Sequence, residues 1–160
     1  MIFVSVGTHK QQFDRLLKEI DGLIENKKIK GTVFAQIGSS YYTPKNFKYK
    51  KFLSLEEFDK NVKKCGIFIT HAGEGNIGTG LQYEKRMIVV PRLKKFGEHT
   101  NDHQLELADA MRKENRAIVC GPEGIERALV EIKKLKPKKT AHAGKIILLL
   151  KKFESKNFSD

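Results

Sequence analysis

Cysteine is scarce in this chain of 160 residues. The spacing of its two cysteines argues against stabilisation by disulfide bonds or by a structural metal ion. Cys65 and Cys120 each precede a glycine, show no Cys-x-x-Cys spacing and form no metal-ligand set with the five scattered histidines. The chain is therefore expected to fold around a hydrophobic core, which its length allows. Without a disulfide framework, a reduced, cytosolic protein is the natural expectation.

Long apolar runs are also missing. No segment approaches the roughly 20 apolar residues of a membrane-spanning helix. The opening residues, MIFVSVGTHK, lack the basic region and the cleavage site of a signal peptide. We therefore expect a cytoplasmic protein that is soluble or, at most, peripheral to a membrane.

Acidic residues are few in the last part of the chain. The net charge is +12, but eight lysines and no acid lie between Ile132 and Phe153, so the excess is largely a property of the tail. Residues 1–135 are predicted to form one domain, and residues 136–160 a lysine-rich link with a short apolar helix. This helix is expected to dock on the domain, on a partner or on a membrane surface. A helix that only covers its own domain, with solvated lysines, is the plainer alternative.

The rest of the chain alternates unbroken apolar runs with amphipathic segments. Unbroken apolar strands are typical of a parallel sheet that helices cover on both faces. The predicted fold is therefore α/β, a Rossmann-like doubly wound parallel sheet with its ligands at the carboxyl ends of the strands. Ser54 and Glu57 predict a capping box, which begins a helix whose buried face is Leu55, Phe58 and Val62. The predicted strands are MIFVSV, TVFAQIG, FKYKKFL, GIFIT, MIVVP and RAIVC.

Residues 70–80, THAGEGNIGTG, place Gly73, Gly75 and Gly78 in a literal G-x-G-x-x-G between a predicted strand and a predicted helix. This pattern is the dinucleotide-binding fingerprint only when it follows the first strand and an acid ends the next strand, about 20 residues on. Here the motif lies later in the chain, and the next strand is followed by Arg92, which could at most serve a 2′-phosphate. The dinucleotide interpretation is therefore weak.

The same glycines support a broader interpretation as a phosphate-binding loop. They allow close approach of the backbone, and the N–H groups at the start of the following helix attract an anion. His71 and Asn76 flank the loop, and a tight turn that only permits close packing is the alternative. Gly7-Thr8-His9 ends the first strand, so it is expected to face the same crevice. The alternative there is an ordinary turn with Thr8 as a helix cap.

A dense polar segment, residues 98–104 (EHTNDHQ), precedes another predicted helix. Its hydrogen-bonding groups suit a polyhydroxylated ligand. Asn101 and Gln104 also have the spacing of a capping box, which would use the same atoms. The histidines and acids of this segment do not predict a metal site, because there is no second cluster and the glycine loop offers no pair of coordinating carboxylates.

Three segments together resemble one family. VGTHKQQFDRLLKEID, THAGEGNIGTGLQ and IVVPRLKKFGEHTNDHQLELA resemble, in this order, the carboxyl-terminal domain of family 28 glycosyltransferases. The likeness is closest to the free-standing soluble subunits of two-component enzymes that add N-acetylglucosamine to a lipid-linked acceptor, and to their bacterial exopolysaccharide counterparts. It implies one half of a GT-B enzyme, which binds a UDP-sugar at the cytosolic face of a membrane. A membrane-anchored subunit with a second Rossmann-like domain would bring the lipid-linked sugar acceptor.

Position by position, the resemblance implies that HAGEGN contacts the donor diphosphate and that NDHQ lies near the donor sugar and nucleotide. The first loop would face the cleft between the two domains. Thr79 stands where many relatives carry a ribose-binding glutamate, and Glu84-Lys85-Arg86 replaces a common Gly-Lys-Pro. The residues expected to bind the donor are Gly7, Thr8, His71, Gly73, Glu74, Gly75, Asn76, Arg92, Asn101 and Gln104.

Sugar transfer from such a donor needs a stabilised leaving diphosphate and a base for the acceptor hydroxyl. A helix N-terminus with backbone N–H groups supplies the first without a metal ion or other cofactor. The base is expected from the acceptor-side subunit; His9 is the weak local candidate, and a surface or capping histidine is the plainer interpretation. The alternative function is a non-enzymatic nucleotide- or nucleic-acid-binding module. The body lacks the aromatic-interleaved basic patch of nucleic-acid platforms, so no nucleic-acid partner is expected.

Overall fold

A six-stranded parallel sheet forms the centre of the protein in the computed structural model, which describes residues 1–139. The strands are β1 (Ile2–Ser5), β2 (Val33–Gln36), β3 (Lys48–Lys50), β4 (Ile67–Thr70), β5 (Arg86–Val89) and β6 (Ala117–Val119). Their order across the sheet is β3-β2-β1-β4-β5-β6. The chain thus runs from β1 to one edge, returns to the middle at β4, and continues to the other edge.

Residues 1–139 also contain five helices and three short 3₁₀ turns, of which the last helix and the last two 3₁₀ turns follow β6. The helices are α1 (Asp14–Glu25), α2 (Leu55–Lys64), α3 (Glu74–Gln82), α4 (Gln104–Lys113) and α5 (Ile125–Glu131). The 3₁₀ turns are Lys94–Phe96, Pro122–Gly124 and Ile132–Lys134.

Two apolar layers flank the sheet, because successive side chains of a strand point to opposite faces. Val4 of β1 belongs to the layer beneath α1 and α5. Its neighbour Phe3 belongs to the layer beneath α2, α3 and α4, where its ring stacks on that of Phe68 at 5.5 Å. Helices therefore cover both faces, which confirms the prediction of a doubly wound α/β fold.

The capping box predicted at the start of α2 is present. The Glu57 N–H donates to Ser54 Oγ at 3.1 Å, and the Ser54 N–H donates to Glu57 Oε2 at 3.0 Å. The predicted buried face is correct for Val62, which is fully buried, and for Phe58, which packs on the core. It is wrong for Leu55, which is 90% exposed. The reason is that the apolar stripe of this helix meets the core only from Phe58 onward.

The tail is described only in part. Leu135 closes the apolar layer beneath α1 and α5, and the predicted helix around Ile146 to Leu150 lies outside the described residues. Within residues 1–139, no helix has the length and apolar character needed to cross a bilayer. Cys65 and Cys120 are free thiols.

Candidate functional site

A cleft of about 830 Å³ opens at the carboxyl ends of β1, β4 and β5. Adjacent strands β1 and β4 lead their following loops away in opposite directions along the sheet, and a crevice of this kind is where ligands of doubly wound sheets bind. The structure brings ten of the eleven predicted or candidate residues together here and leaves out Arg92. Those ten are Gly7, Thr8, His9, His71, Gly73, Glu74, Gly75, Asn76, Asn101 and Gln104.

The start of α3 forms one wall of the cleft. Gly73 is the N-cap residue and makes no side-chain cap, so the first turn of the helix is not closed by a capping side chain. Because a helix start carries a partial positive charge and outward-pointing N–H groups, this wall is suited to an anion. The glycine loop follows β4, in the middle of the sheet. A dinucleotide fingerprint would instead follow the first strand.

His71 forms the floor between the two glycine turns. A Cβ atom on Gly73 would lie 1.9 Å from His71 Cε1, and one on Gly7 would lie 2.4 Å from His71 Nε2. Both glycines are therefore needed to make room for the imidazole ring. The φ angle of Gly7 is +80°, which also favours glycine.

The charge state of His71 follows from its surroundings. Burial lowers its pKa to about 3, and the nearby positive charge of Arg92 and the His99 ring act in the same direction. His71 is thus a neutral imidazole at neutral pH. Its Nδ1 lies 3.1 Å from Gln104 Nε2, and Gln104 Oε1 accepts the Arg92 N–H at 2.9 Å.

Asn76 connects α3 to the strand ends. Its Nδ2 donates to Ser5 Oγ and to Thr70 Oγ1, both at 2.9 Å. Ser5 Oγ also accepts the Gly7 N–H at 3.2 Å. The amide nitrogen of Asn76 therefore holds the two glycine turns in register, while the residue still lines the cleft.

Both capping alternatives for the polar loops are wrong. Thr8 is not a helix cap, because α1 begins only at Asp14. Asn101 and Gln104 do not form a capping box, because α4 begins at Gln104 itself and its side chain turns inward to Arg92 and His71. These side chains are consequently left to shape the cleft.

Arg92 requires a correction, because it was predicted to bind the donor and does not line the cleft. Its side chain is fully buried, and the guanidinium donates to the carbonyl groups of Gln11 and Gln12 at 3.0 Å, of Glu98 at 2.9 Å, and of Val6. Burial lowers its pKa to about 10 against the opposing effect of Glu98, so it stays charged at neutral pH. Arg92 thus fastens the loop after β1 to the loop after β5.

Glu98 completes this fastening from the other side. Its fully buried carboxylate accepts two hydrogen bonds from Arg15 of α1, at 2.6 and 3.1 Å. It also accepts the Leu93 N–H at 2.9 Å. Glu98, the first residue of the EHTNDHQ segment, therefore has a structural role. Its partner Arg15 lies far away in the sequence, so no sequence pattern indicated this pairing.

A pair of stacked histidines lies in the same cleft. The rings of His9 and His99 are 4.6 Å apart and inclined by 19°. The pKa of His9 is lowered by burial and then by His99, and the pKa of His99 by burial and then by Arg92. The sequence identified His9 as a candidate but did not indicate its contact with His99, which lies 90 positions further along the chain.

Four further residues line the cleft beyond those named individually: Ala72 and His103, which lie within the predicted segments HAGEGN and NDHQ, and His99 and Leu107. Helical spacing could have found Leu107, which lies three residues after Gln104 on the same helix face. His99 and His103 lay within a segment already identified as polar. Among residues 1–139, no three His, Cys, Asp or Glu side chains converge as a metal site would require.

The family of the chain follows from comparison with known proteins. The model of the glycosyltransferase family 28 C-terminal domain matches residues 1–157. The chain belongs to this family. One relative, the UDP-N-acetylglucosamine transferase subunit ALG13 of Homo sapiens, is 29% identical over 128 residues, 74% of this chain and 11% of that protein. The Mus musculus protein of the same name gives the same identity over 10% of its length. The chain thus spans about a tenth of these relatives.

Solved structures agree with the family 28 assignment at the level of the fold. The glycotransferase of kitacinnamycin matches with a TM-score of 0.61 and 21% identity, over 82% of this chain and 34% of that chain. MurG of Acinetobacter baumannii matches with a TM-score of 0.59 and 15% identity, over 84% and 42%. An NMR structure of ALG13 matches with a TM-score of 0.58 and 20% identity, over 93% and 94%. The fold is that of one half of a GT-B glycosyltransferase.

Proposed function

We propose that this family 28 domain is the donor-binding subunit of a two-component glycosyltransferase. It binds a UDP-sugar, with N-acetylglucosamine or a similar hexose as the sugar, and acts with a membrane-anchored subunit that holds a lipid-linked acceptor. The name of the human and mouse relatives, a UDP-N-acetylglucosamine transferase subunit, supports the choice of donor and the need for a partner. Recruitment to the cytosolic face of a membrane through that partner follows from the proposal.

The observation that carries the proposal is the meeting of an uncapped helix start and a neutral buried histidine in one crevice. Gly73 is the N-cap residue of α3 and supplies no side-chain cap, and His71 lies beneath it between two glycines. Such a wall suits the two phosphate groups of a nucleotide sugar, because the backbone N–H groups of a helix start bind an anion without a cationic side chain. Asn101 and His103 add polar groups to the lining of the cleft, to which hydroxyl groups of the donor would bind.

The contribution of this chain to transfer is electrostatic. As the bond between the sugar and the diphosphate breaks, negative charge grows on the leaving oxygen, and the helix start with its N–H groups stabilises it. The acceptor hydroxyl must lose a proton in the same step, and the base for it comes from the partner subunit. His9 is held in a stack with His99 and a lowered pKa, so it is the local group to test as an alternative base.

Donor binding is tested by calorimetry on the purified chain with UDP-sugars, UDP, NAD and NADP, each with and without a chelator. We expect binding of UDP and of a UDP-sugar, unchanged by the chelator, because the anion is held by N–H groups and not by a metal ion. Binding of the dinucleotides alone would overturn the proposal. Loss of UDP binding in the chelator would show that metal independence is wrong.

Partner dependence is tested with a radiolabelled UDP-sugar and a lipid-linked acceptor. We expect no transfer by the chain alone, because the cleft contains a donor site but the proposed base and acceptor site belong to the other subunit. Addition of membranes that contain the partner should restore transfer. Efficient transfer by the chain alone would contradict the two-component proposal while leaving donor binding intact.

A further inference from the structure

Gln104 has both ends of its side chain engaged inside the cleft wall. The Arg92 backbone N–H, 2.9 Å away, can only donate, so the atom facing it is Gln104 Oε1. The other end, Nε2, therefore faces His71 Nδ1 at 3.1 Å. An amide nitrogen only donates, so Nδ1 must accept with its lone pair. The geometry thus requires that the proton of the neutral His71 ring is on Nε2.

The surroundings of His71 keep the ring in this neutral form. Arg92 and His99 on the loop after β5 and His9 on the loop after β1 are the charged or titratable groups that act on it. Positive charge on any of them disfavours a second proton on His71, as burial also does. The ring packs closely against Gly7 and Gly73, where an added Cβ would lie 2.4 Å and 1.9 Å from its atoms.

His71 lines the cleft, and its Nε2 lies at the two glycine turns, 2.4 Å from the place of a Cβ on Gly7 and 2.9 Å from that of a Cβ on Gly73. The hydrogen bond that its ring makes within residues 1–139 joins Nδ1 to Gln104 and leaves Nε2 for a ligand. The wall of the cleft therefore contains an N–H donor next to the first turn of α3. A neutral donor here adds to the N–H groups of the helix start without adding a charge that burial would oppose.

We propose that Gln104 is a positioning residue that fixes His71 as the Nε2–H tautomer, so that this N–H donates to the diphosphate of the bound donor. This inference rests on the proposed function, since it assumes that the cleft takes a nucleoside diphosphate. It differs from the sequence-based expectation for Gln104, which was direct contact with the donor. A glutamine that contacts the sugar would have a free amide in the cleft. In Gln104, both amide atoms are already hydrogen-bonded, one to Arg92 and one to His71.

The tautomer is tested without any ligand, by ¹⁵N NMR of histidine side chains in the whole chain. We expect His71 to have an unprotonated Nδ1 and a protonated Nε2 from pH 5 to 8. In Gln104→Glu, a carboxylate that accepts replaces the amide that donates, so Nδ1 should become protonated and the titration of His71 should move upward. A wild-type ring protonated on Nδ1, or one that titrates near 6.5, would refute the assignment.

The effect on binding is tested with Gln104→Met, which keeps the shape but removes the hydrogen bond, using UDP and UDP-N-acetylglucosamine as probes. A positioning role predicts about a tenfold loss of affinity for both, because one hydrogen bond to a charged oxygen is misplaced. Direct sugar contact predicts a loss for the UDP-sugar alone, which would overturn the proposal. Gln82→Met, at the exposed end of α3, is the matched control and should bind both probes as the wild type does.

The two hypotheses fail separately. If the wild type binds no UDP, the proposed function is wrong and the diphosphate part of this inference falls with it, while the NMR spectra still decide the tautomer. If the wild type binds UDP and Gln104→Met binds it equally well, the positioning role is wrong and the proposed function stands.

Discussion

Gly73→Ala is expected to abolish tight UDP binding and to destabilise the protein, although it adds only one methyl group. The new Cβ would lie 1.9 Å from His71 Cε1 and 2.6 Å from His71 Nδ1, far inside contact distance. The ring cannot move away easily, because Gly7 and Gln104 hold its other sides. Either His71 or the first turn of α3 must shift, at a cost of about 1–3 kcal/mol for overpacking.

Gly78→Ala is the matched control, since Gly78 lies in the helix that Gly73 caps and in the same G-x-G-x-x-G pattern. A Cβ on Gly78 meets nothing within 4 Å, and the residue does not line the cleft. Alanine is favoured over glycine within a helix by up to about 1 kcal/mol, so this variant should be more stable than the wild type. Urea unfolding and UDP calorimetry on both variants measure the contrast. Equal behaviour of the two variants would mean that the packing of Gly73 on His71 is unimportant.

Arg92→Met is expected to have the largest effect on stability. The substitution leaves the carbonyl groups that Arg92 fastens without their donor, in a region from which water is excluded, and it leaves the buried Glu98 with Arg15 as its cationic partner. Leaving a buried acceptor without a partner costs about 1–3 kcal/mol, and the substitution affects the carbonyl groups of four residues. The total stability of a domain is only about 5–15 kcal/mol, so the variant should unfold at a much lower urea concentration.

The control for Arg92→Met is Arg127→Met, which removes an arginine from the surface of α5. Arg127 has an 86% exposed side chain and pairs with Glu131 across one helical turn, an interaction of about 0.3–0.5 kcal/mol. We expect a change within about 0.5 kcal/mol and unaltered UDP binding. An Arg92→Met protein as stable as the wild type would show that the buried guanidinium is dispensable and that our account of the two loops is wrong.

The sheet and most of the cleft could be predicted from the sequence because both depend on local patterns. Unbroken apolar runs identify buried parallel strands, and the carboxyl ends of such strands converge. Gly7, His71 and Asn76 each stand directly after a strand or at the start of the next helix, so their meeting follows from topology. The strand order then only had to bring β1 next to β4.

The orientation of side chains could not be predicted in the same way. Arg92 lies shortly after a strand, as Thr8 and His71 do, yet its side chain turns inward. There it donates to carbonyl groups of two loops, and the Glu98 carboxylate favours its charged form. These partners lie up to 86 positions away along the chain. The prediction that Leu55 is buried was wrong for a related reason, because helical spacing does not show where the core ends. Long-range contacts decided each of these cases, and one sequence does not report them.

The fastening of the two loops by Arg92 has a consequence for how the cleft moves. The loop that carries His9 and the loop that carries His99 share one guanidinium, and Glu98 ties the second loop to α1 as well. Neither loop can leave its place without exposing the charges that bind the other. We therefore expect the two loops to open as one cooperative unit. A ligand would then bind a cleft that is already formed, and its binding would cost little conformational entropy.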